Sequence, residues 1–130
     1  MTHWIEVHNA SQADLQVIRA RWCDTFACRL RGLTFRRSLG PGEGLLLVEG
    51  RESRSGTAIH MWFVFMPLGV AWVAADGRVV DTRLALPWRL YAPKVAAKFI
   101  LEGPPGMLES VAINDCLEFV NAAPVLASGP

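Results

Sequence analysis

Residues 58–75 read AIHMWFVFMPLGVAWVAA, an apolar stretch without Asp, Glu, Lys or Arg, in which His60 is the only strongly polar side chain. Its length approaches the roughly 20 residues of a membrane-spanning helix. However, Pro67-Leu68-Gly69 interrupts it, and its Trp, Phe and Val residues favour strands. Asp76-Gly77, which follows directly, is a hairpin-turn signal. The stretch therefore predicts buried strands at 60–66 and 69–75, a turn into a third strand, and no membrane span.

The length and composition of the chain fit one globular domain. It has 130 residues, of which 52% are hydrophobic and 19% are charged. A chain of this length buries roughly two-thirds of its unfolded surface on folding. We expect an N-terminal strand or arm in residues 1–14, one β-rich domain in residues 15–121 and a frayed tail in residues 122–130. No export signal is visible, so the sequence predicts a cytoplasmic protein.

The rest of the chain adds short strands and one helix. Asp24 or Thr25 can cap a helix that ends near Ser38, before the turn residues Gly40-Pro41-Gly42. Residues 49–56 read as a polar loop, and residues 15–23 fit either a strand or the start of a helix. Together the elements predict an α+β fold that is mainly β, a small antiparallel β-barrel or sandwich with one principal helix packed on it. Further strands are expected at residues 3–8, 44–48, 98–102 and 117–120.

The net charge gives no indication of a polyanionic partner. Thirteen Lys and Arg residues against twelve Asp and Glu residues give a net charge of +1, which does not favour nucleic acid. Six arginines lie between Arg19 and Arg37, with Asp24 as the only acid among them. Two charged faces that partly neutralise each other explain this distribution, and an arginine-lined patch for an anionic group is the alternative.

The cysteines and glycines indicate neither a metal site nor a cofactor. Cys23, Cys28 and Cys116 are odd in number and contain no CxxC pair, so we expect buried free thiols in a reducing compartment. No cluster of His and carboxylate residues has metal-ligand spacing. The glycines at 40, 42 and 44 follow a predicted helix and precede a strand, which is the reverse of a phosphate-binding loop.

His60 is the first candidate functional residue. A buried imidazole needs a hydrogen-bond partner, so His60 is either a core residue bonded to a carbonyl or a donor or general base that lines a site. Trp62 falls on the same face of the predicted strand. Trp72 and Trp88 could extend an aromatic wall, although core packing is the commoner role of such residues. Glu102 follows an apolar strand and could pair with Arg29 or Arg36.

Several short motifs stand along the chain in one order. They are Arg29-Leu30-Arg31-Gly32-Leu33, Arg36-Arg37-Ser38-Leu39, Gly44-Leu45-Leu46-Leu47, Ile59-His60, Met66-Pro67-Leu68, Val70-Ala71-Trp72, Asp76-Gly77-Arg78-Val79-Val80, Leu86-Pro87-Trp88-Arg89 and Ile100-Leu101-Glu102 with Gly106. In this order they resemble the uncharacterised prokaryotic proteins of domain of unknown function 192, over about residues 15–120. The resemblance implies a compact β-rich domain with a helix near its N-terminal side, and no established activity. That family usually has Asp where this chain has Gly69, Met where it has Val64 and Gly where it has Asn114, so a reaction that used the Asp would be lost here.

These observations predict a non-catalytic module that binds a small ligand or a protein partner, as a monomer or weak dimer without a cofactor or a metal. The alternative is a hydrolase-like enzyme in which His60 is the general base and Glu102 or Asp115 orients it. The expected binding residues are His60, Trp62, Trp88, Arg29, Arg36 and Glu102.

Overall fold

The protein is built around nine strands and one short α-helix in a computed structural model that describes residues 3–33, 39–40 and 42–122. Short 3₁₀ helices cover Ala10–Gln12 and Pro105–Ser110. The strands are β1 (Trp4–Asn9), β2 (Leu15–Cys23), β3 (Glu43–Ser53), β4 (Ile59–His60), β5 (Leu68–Val73), β6 (Val79–Ala85), β7 (Leu90–Tyr91), β8 (Ala97–Gly103) and β9 (Leu117–Asn121), and the helix is α1 (Phe26–Arg31).

Seven of the strands form one curled sheet in the order β6-β5-β8-β3-β2-β1-β9, while β4 and β7 form a separate pair. The two edges of the large sheet meet through a bridge between Arg78 and Cys116. Beside it, the amide of Leu117 donates to the carbonyl of Gly77 at 2.8 Å. This curl, which brings one end of each edge strand together, gives the sheet the shape of a half-barrel. The prediction of a mainly β fold of the α+β class is confirmed.

Among the described residues, all strand pairs are antiparallel except β2 with β3, which are parallel. Parallel neighbours need a crossover connection. Residues 24–42 make that connection and contain α1, which is capped at its start by the Thr25 hydroxyl accepting from the Cys28 amide at 3.1 Å. The crossover brings α1 close to β3, where the candidate site lies.

Both faces of the large sheet are packed with apolar residues. Successive side chains of a strand point to opposite faces, so neighbouring apolar residues of one strand belong to different faces. Every residue of β5 is buried, as expected for the centre of the apolar stretch. The first face carries Cys23, Leu45, Leu47, Val70, Trp72 and Ile100. The second face carries Ile5, Val7, Ile18, Leu46, Ala71 and Leu101.

The predicted strand at 60–66 is wrong. Only Ile59 and His60 are in a strand, and residues 61–67 form a loop. Phe63 has a φ of 60°, a left-handed backbone that does not occur inside a regular strand. The predicted polar loop at 49–56 is also partly wrong because β3 continues to Ser53, whereas residues 15–23 are a strand.

The predicted end of the helix near Ser38 is wrong, because α1 ends at Arg31 and Gly32 caps it with a φ of 50°. Ser38 itself and the predicted tail at 122–130, apart from Ala122, lie outside the described residues. Among the residues that are described, no helix is both long enough and apolar enough to cross a membrane.

The expectation of buried free thiols is wrong. Cys23, at the end of β2, and Cys28, in α1, form a disulfide with their Cα atoms 5.6 Å apart, a separation typical of such bonds. Cys116 is free but exposed. The disulfide fastens α1 to the sheet at the point where the helix begins.

Candidate functional site

A cavity of about 80 Å³ opens beside α1, over the first face of the sheet. Polar and apolar surface line it in equal parts. Four polar side chains line it, and they come from four elements: Arg29 of α1, Glu49 of β3, His60 of β4 and Glu102 of β8. The apolar part of the lining consists of Leu33, Leu47, Ala58, Ile59, Met61, Val64, Leu68 and Ile100.

Glu102 is the unusual group of this cavity. Its side chain is on the first face of β8, between Leu45 of β3 and Val70 of β5 in the strand register. The residue is 5% exposed. Among the described residues nothing forms a hydrogen bond or an ion pair with its carboxyl group. Burial among apolar neighbours raises the pKa of this carboxyl group from 4.5 to about 7, since desolvation disfavours the charged form.

Arg29 lies at the same cavity, but the predicted ion pair between it and Glu102 is wrong. The Arg29 Nε atom is 3.4 Å from Oε2 of Glu49 instead. Its Nη1 atom donates to the carbonyl oxygens of Asp24 at 2.6 Å and Val48 at 3.2 Å. Three acceptors from the helix entry and β3 therefore hold the guanidinium in place. The other predicted partner, Arg36, lies outside the described residues.

His60 lines the cavity, although the expectation of a buried core histidine is wrong. The residue is exposed, because β4 is short and pairs only with β7. No described residue forms a hydrogen bond with its ring. Asp115, one of the two groups expected to orient it, instead accepts from the side chains of Asn9 and Gln12, each at 2.8 Å, near the opposite edge of the sheet.

The loop after β4 forms an exposed aromatic cluster beside the cavity. Met61 and Val64 face the cavity, whereas Trp62 and Phe63 between them are exposed. The Trp88 ring centroid is 4.9 Å from that of Phe63 and 6.4 Å from that of Trp62. We call Trp62, Phe63, Phe65 and Trp88 the aromatic cluster.

Backbone geometry holds the aromatic cluster outward. Phe63 and Trp88 have φ values of 60° and 66°. Such a backbone is strained for a bulky residue and persists where the surroundings impose it. Here the Met61 amide donates to the carbonyl of Arg89 at 2.7 Å, and the Trp88 amide donates to the carbonyl of Met61 at 2.8 Å. By contrast, Trp72 is a core residue whose Nε1 donates to the Thr57 carbonyl at 2.7 Å.

Three arginine side chains between residues 19 and 37 are described, those of Arg19, Arg21 and Arg29. The Arg19 guanidinium lies 4.6 Å from the centroid of the Trp4 ring, and Arg21 is two residues further along the same face of β2, whereas Arg29 is paired with Glu49. The alternative of an arginine-lined patch for an anion stays a prediction. No group of three or more His, Cys, Asp or Glu residues in the described ranges is arranged to hold a metal ion.

Comparison with known proteins places the chain in a family. The family model of domain of unknown function 192, described as an uncharacterized ACR, matches residues 7–119. The chain belongs to this family. As a DUF192 protein it is 38% identical over 104 residues to the UPF0127 protein PF1050 of Pyrococcus furiosus, with 78% of this chain and 87% of that one covered. It is 36% identical over 97 residues to the UPF0127 protein TK1120 of Thermococcus kodakarensis, with 75% of this chain but only 60% of that one covered.

Solved structures show the same fold. A proposed transcription regulator from Sinorhizobium meliloti superposes with a TM-score of 0.79 at 21% identity, over 92% of this chain and 94% of that one. A protein of unknown function from Novosphingobium aromaticivorans superposes with a TM-score of 0.75 at 22% identity, over 90% and 84% of the two chains. DUF192 is thus a family of unknown function with a β-rich half-barrel fold.

Gly69, where DUF192 proteins were expected to carry Asp, lies away from the cavity. It is on the second face of β5, and a Cβ atom there would lie 2.8 Å from the carbonyl oxygen of Pro104. Leu68 and Val70, its neighbours along the strand, belong to the first face. The missing carboxylate would therefore be across the sheet from Glu102 and His60, so its absence leaves the cavity unchanged.

Sequence reasoning missed Glu49 and the aromatic residues of the loop. Glu49 was assigned to a polar loop, whereas it is in β3 and pairs with Arg29. Phe63 and Phe65 were assigned to a buried strand, but they are 47% and 41% exposed. The alternation of Leu45, Leu47 and Glu49 along one strand is the signal that could have placed Glu49 on the cavity face.

Proposed function

We propose that this DUF192 protein is a non-catalytic module that binds a small organic ligand in the cavity beside α1. One observation carries the proposal. Glu102 is only 5% exposed, its carboxyl group has no partner among the described residues, and it lines an open cavity. No side-chain oxygen or nitrogen of the described residues is both sealed from solvent and unpaired, so the Glu102 carboxyl group reaches the open cavity. A carboxyl group that is largely desolvated and has no protein partner is still costly for the folded state. A ligand that satisfies this carboxyl group would remove that cost, which makes the cavity a natural place for binding.

The size of the cavity indicates how such a ligand would be held. Pockets that enclose a whole drug-sized ligand have volumes of roughly 300–1,000 Å³. The cavity here has about 80 Å³, so it accommodates one end of a molecule. The aromatic cluster begins directly beside it and offers exposed rings to the remainder of the ligand. His60, Trp62, Trp88, Arg29 and Glu102 all contribute to this arrangement.

The alternative of an enzyme with His60 as general base receives less support from the geometry. A general base of this kind is normally oriented by a hydrogen bond to a second group. In the described part of the chain the His60 ring has no such bond, and Asp115 is engaged with Asn9 and Gln12. The arrangement of polar groups therefore favours binding over catalysis.

The test is a fragment screen followed by two-dimensional ¹H–¹⁵N NMR. We expect fragments to shift the amide signals of α1, β4 and residues 61–64. Ala58 is exposed and lines the cavity, so Ala58→Leu should fill its mouth and weaken binding at least tenfold. Ala92 is exposed and lies outside the cavity lining, so Ala92→Leu should bind as the wild type does. Fragments whose shifts map elsewhere and are insensitive to Ala58→Leu would contradict the proposal.

A further inference from the structure

The charges around the cavity leave one carboxylate uncompensated. Arg29 and Glu49 neutralise each other, and the remaining contacts of Arg29 are backbone carbonyls. Glu102 has no such partner among the described residues. When Glu102 is ionised, Arg29, Glu49 and Glu102 together carry one negative charge. The electrostatic complement is a ligand with one positive charge.

The lining of the cavity indicates which kind of cation fits. A hydrated metal ion requires several oxygen or nitrogen ligands, and among the described lining residues only Glu102 offers a carboxylate that is not already paired. A volume of about 80 Å³ is roughly half of the approximately 150 Å³ cavity that accommodates benzene, so it holds only a few heavy atoms. A short alkyl chain that ends in an ammonium group matches both the apolar part of the lining and the carboxylate.

We propose that the cavity binds the ammonium end of a primary aliphatic amine, which donates hydrogen bonds to the Glu102 carboxylate while its methylene groups contact Leu47, Val64 and Ile100. This inference rests on the proposed binding function and adds the chemical class of the ligand. The amine is either a free small molecule or a lysine side chain. An anionic ligand fits less well because Arg29 already has three acceptors.

Amine binding must depend on the protonation of Glu102. Burial holds the pKa of this carboxyl group near 7, so the free protein carries a neutral carboxyl group in weakly acidic solution. An ammonium group binds the ionised form, so affinity should fall about tenfold for each pH unit below the pKa. The other charged or titratable groups on the cavity are Arg29, Glu49 and His60. β8 lies between β3 and β5 in the sheet, and β5 contributes no charged or titratable group in its described range Leu68–Val73.

The experiment compares three probes of the same shape by ¹H–¹⁵N NMR titration at pH 8 and pH 6. They are n-butylamine, n-butanol and butyrate. We expect n-butylamine to bind the wild type at least tenfold more tightly than either of the others, and more weakly at pH 6 than at pH 8. Glu102→Gln should abolish this preference, whereas Glu109→Gln, an exposed residue outside the cavity lining, should retain it.

Two further arms identify the source of the amine and separate the inference from the proposed function. Nα-acetyl-lysine methylamide and its norleucine counterpart test a lysine side chain in the same way. Tighter binding of the lysine probe than of n-butylamine assigns a lysine side chain as the ligand, and the reverse order assigns a free amine. If n-butanol binds as tightly as n-butylamine, and Glu102→Gln changes neither, the cavity binds ligands but does not select amines, which overturns this inference alone. If fragments of other classes bind while both amines fail at millimolar concentration, the inference is likewise overturned. If nothing binds in the cavity, both proposals fail.

Discussion

The Nε atom of Arg29 lies 3.4 Å from the Oε2 atom of Glu49, so the only described cationic side chain lining the cavity is paired with a carboxylate other than that of Glu102. Burial raises the pKa of the Glu102 carboxyl group. Because an unshielded cation favours the ionised form of a nearby acid, we expect Glu49 to shield Glu102 from the positive charge of Arg29 and so to preserve this raised pKa.

Replacing Glu49 by Gln should therefore lower the pKa of Glu102. The guanidinium would remain bonded to the Asp24 and Val48 carbonyls, but its charge would no longer be offset. We expect the free energy of unfolding to change by less than about 1 kcal/mol, because the ion pair is partly exposed. The ¹³C chemical shift of the Glu102 carboxyl carbon, followed over pH, measures the pKa. The control Glu109→Gln should leave that pKa unchanged, and an unchanged or raised value in Glu49→Gln would contradict the shielding.

Replacing Glu102 by Gln should change how stability depends on pH. The folded pKa of about 7 is above the ordinary value of 4.5, so the unfolded chain loses its proton first as pH rises. In the wild type this contribution to stability is fully present below pH 4.5 and is lost as pH rises to about 7. Glu102→Gln has no such loss. Above pH 7 its free energy of unfolding should exceed that of the wild type by up to about 3 kcal/mol, and this difference should shrink towards pH 4.5.

Urea unfolding of both proteins between pH 4.5 and 8 checks this expectation. Two stability curves that run parallel over that range would show that Glu102 titrates alike in the folded and unfolded states.

The disulfide between Cys23 and Cys28 should contribute measurably to stability. The bond closes a short loop, and the loop-entropy relation gives about 2 kcal/mol for a loop of this size. We expect Cys23→Ala/Cys28→Ala to lower the free energy of unfolding by about that amount. Reductant should lower the stability of the wild type similarly and leave the double variant unchanged. Cys116→Ala, at an exposed free thiol, should behave as the wild type, and a double variant as stable as the wild type would contradict the expectation.

The sequence predicts the strands of this fold better than it predicts the candidate site. β5 and β8 are visible as branched and aromatic runs, and Asp76-Gly77 marks the turn between β5 and β6, where Gly77 has a φ of 94°. These are local signals. Arg29, Glu49 and Glu102, by contrast, come from three elements that only the parallel crossover and the β3–β8 pairing bring together.

The errors in the apolar stretch and at the cysteines have one physical origin. The hydrophobic residues at 61–65 are compatible with a strand and with a folded loop. The left-handed backbone of Phe63 shows that they form a loop. Similarly, the spacing of Cys23 and Cys28 carries no disulfide signature, but a strand that ends next to the start of a helix brings their Cα atoms to 5.6 Å. In both cases backbone geometry settles what composition leaves open.

Trp88 offers a direct test of the strained backbone that supports the aromatic cluster. Its φ of 66° is accessible to glycine without a Cβ penalty, whereas alanine retains the strain. Both Trp88→Gly and Trp88→Ala remove the ring and keep the amide that donates to Met61, so their difference isolates the backbone term. We expect Trp88→Gly to be the more stable of the two by about 1 kcal/mol in urea unfolding.

The matched control for Trp88 is Leu90, an exposed residue of β7 without a positive φ. There glycine has no strain to relieve and loses backbone entropy, so Leu90→Gly should be less stable than Leu90→Ala. Opposite signs at the two positions are the expected result. If alanine is the more stable replacement at both, the left-handed backbone at Trp88 stores no strain and the outward position of the aromatic cluster needs another cause.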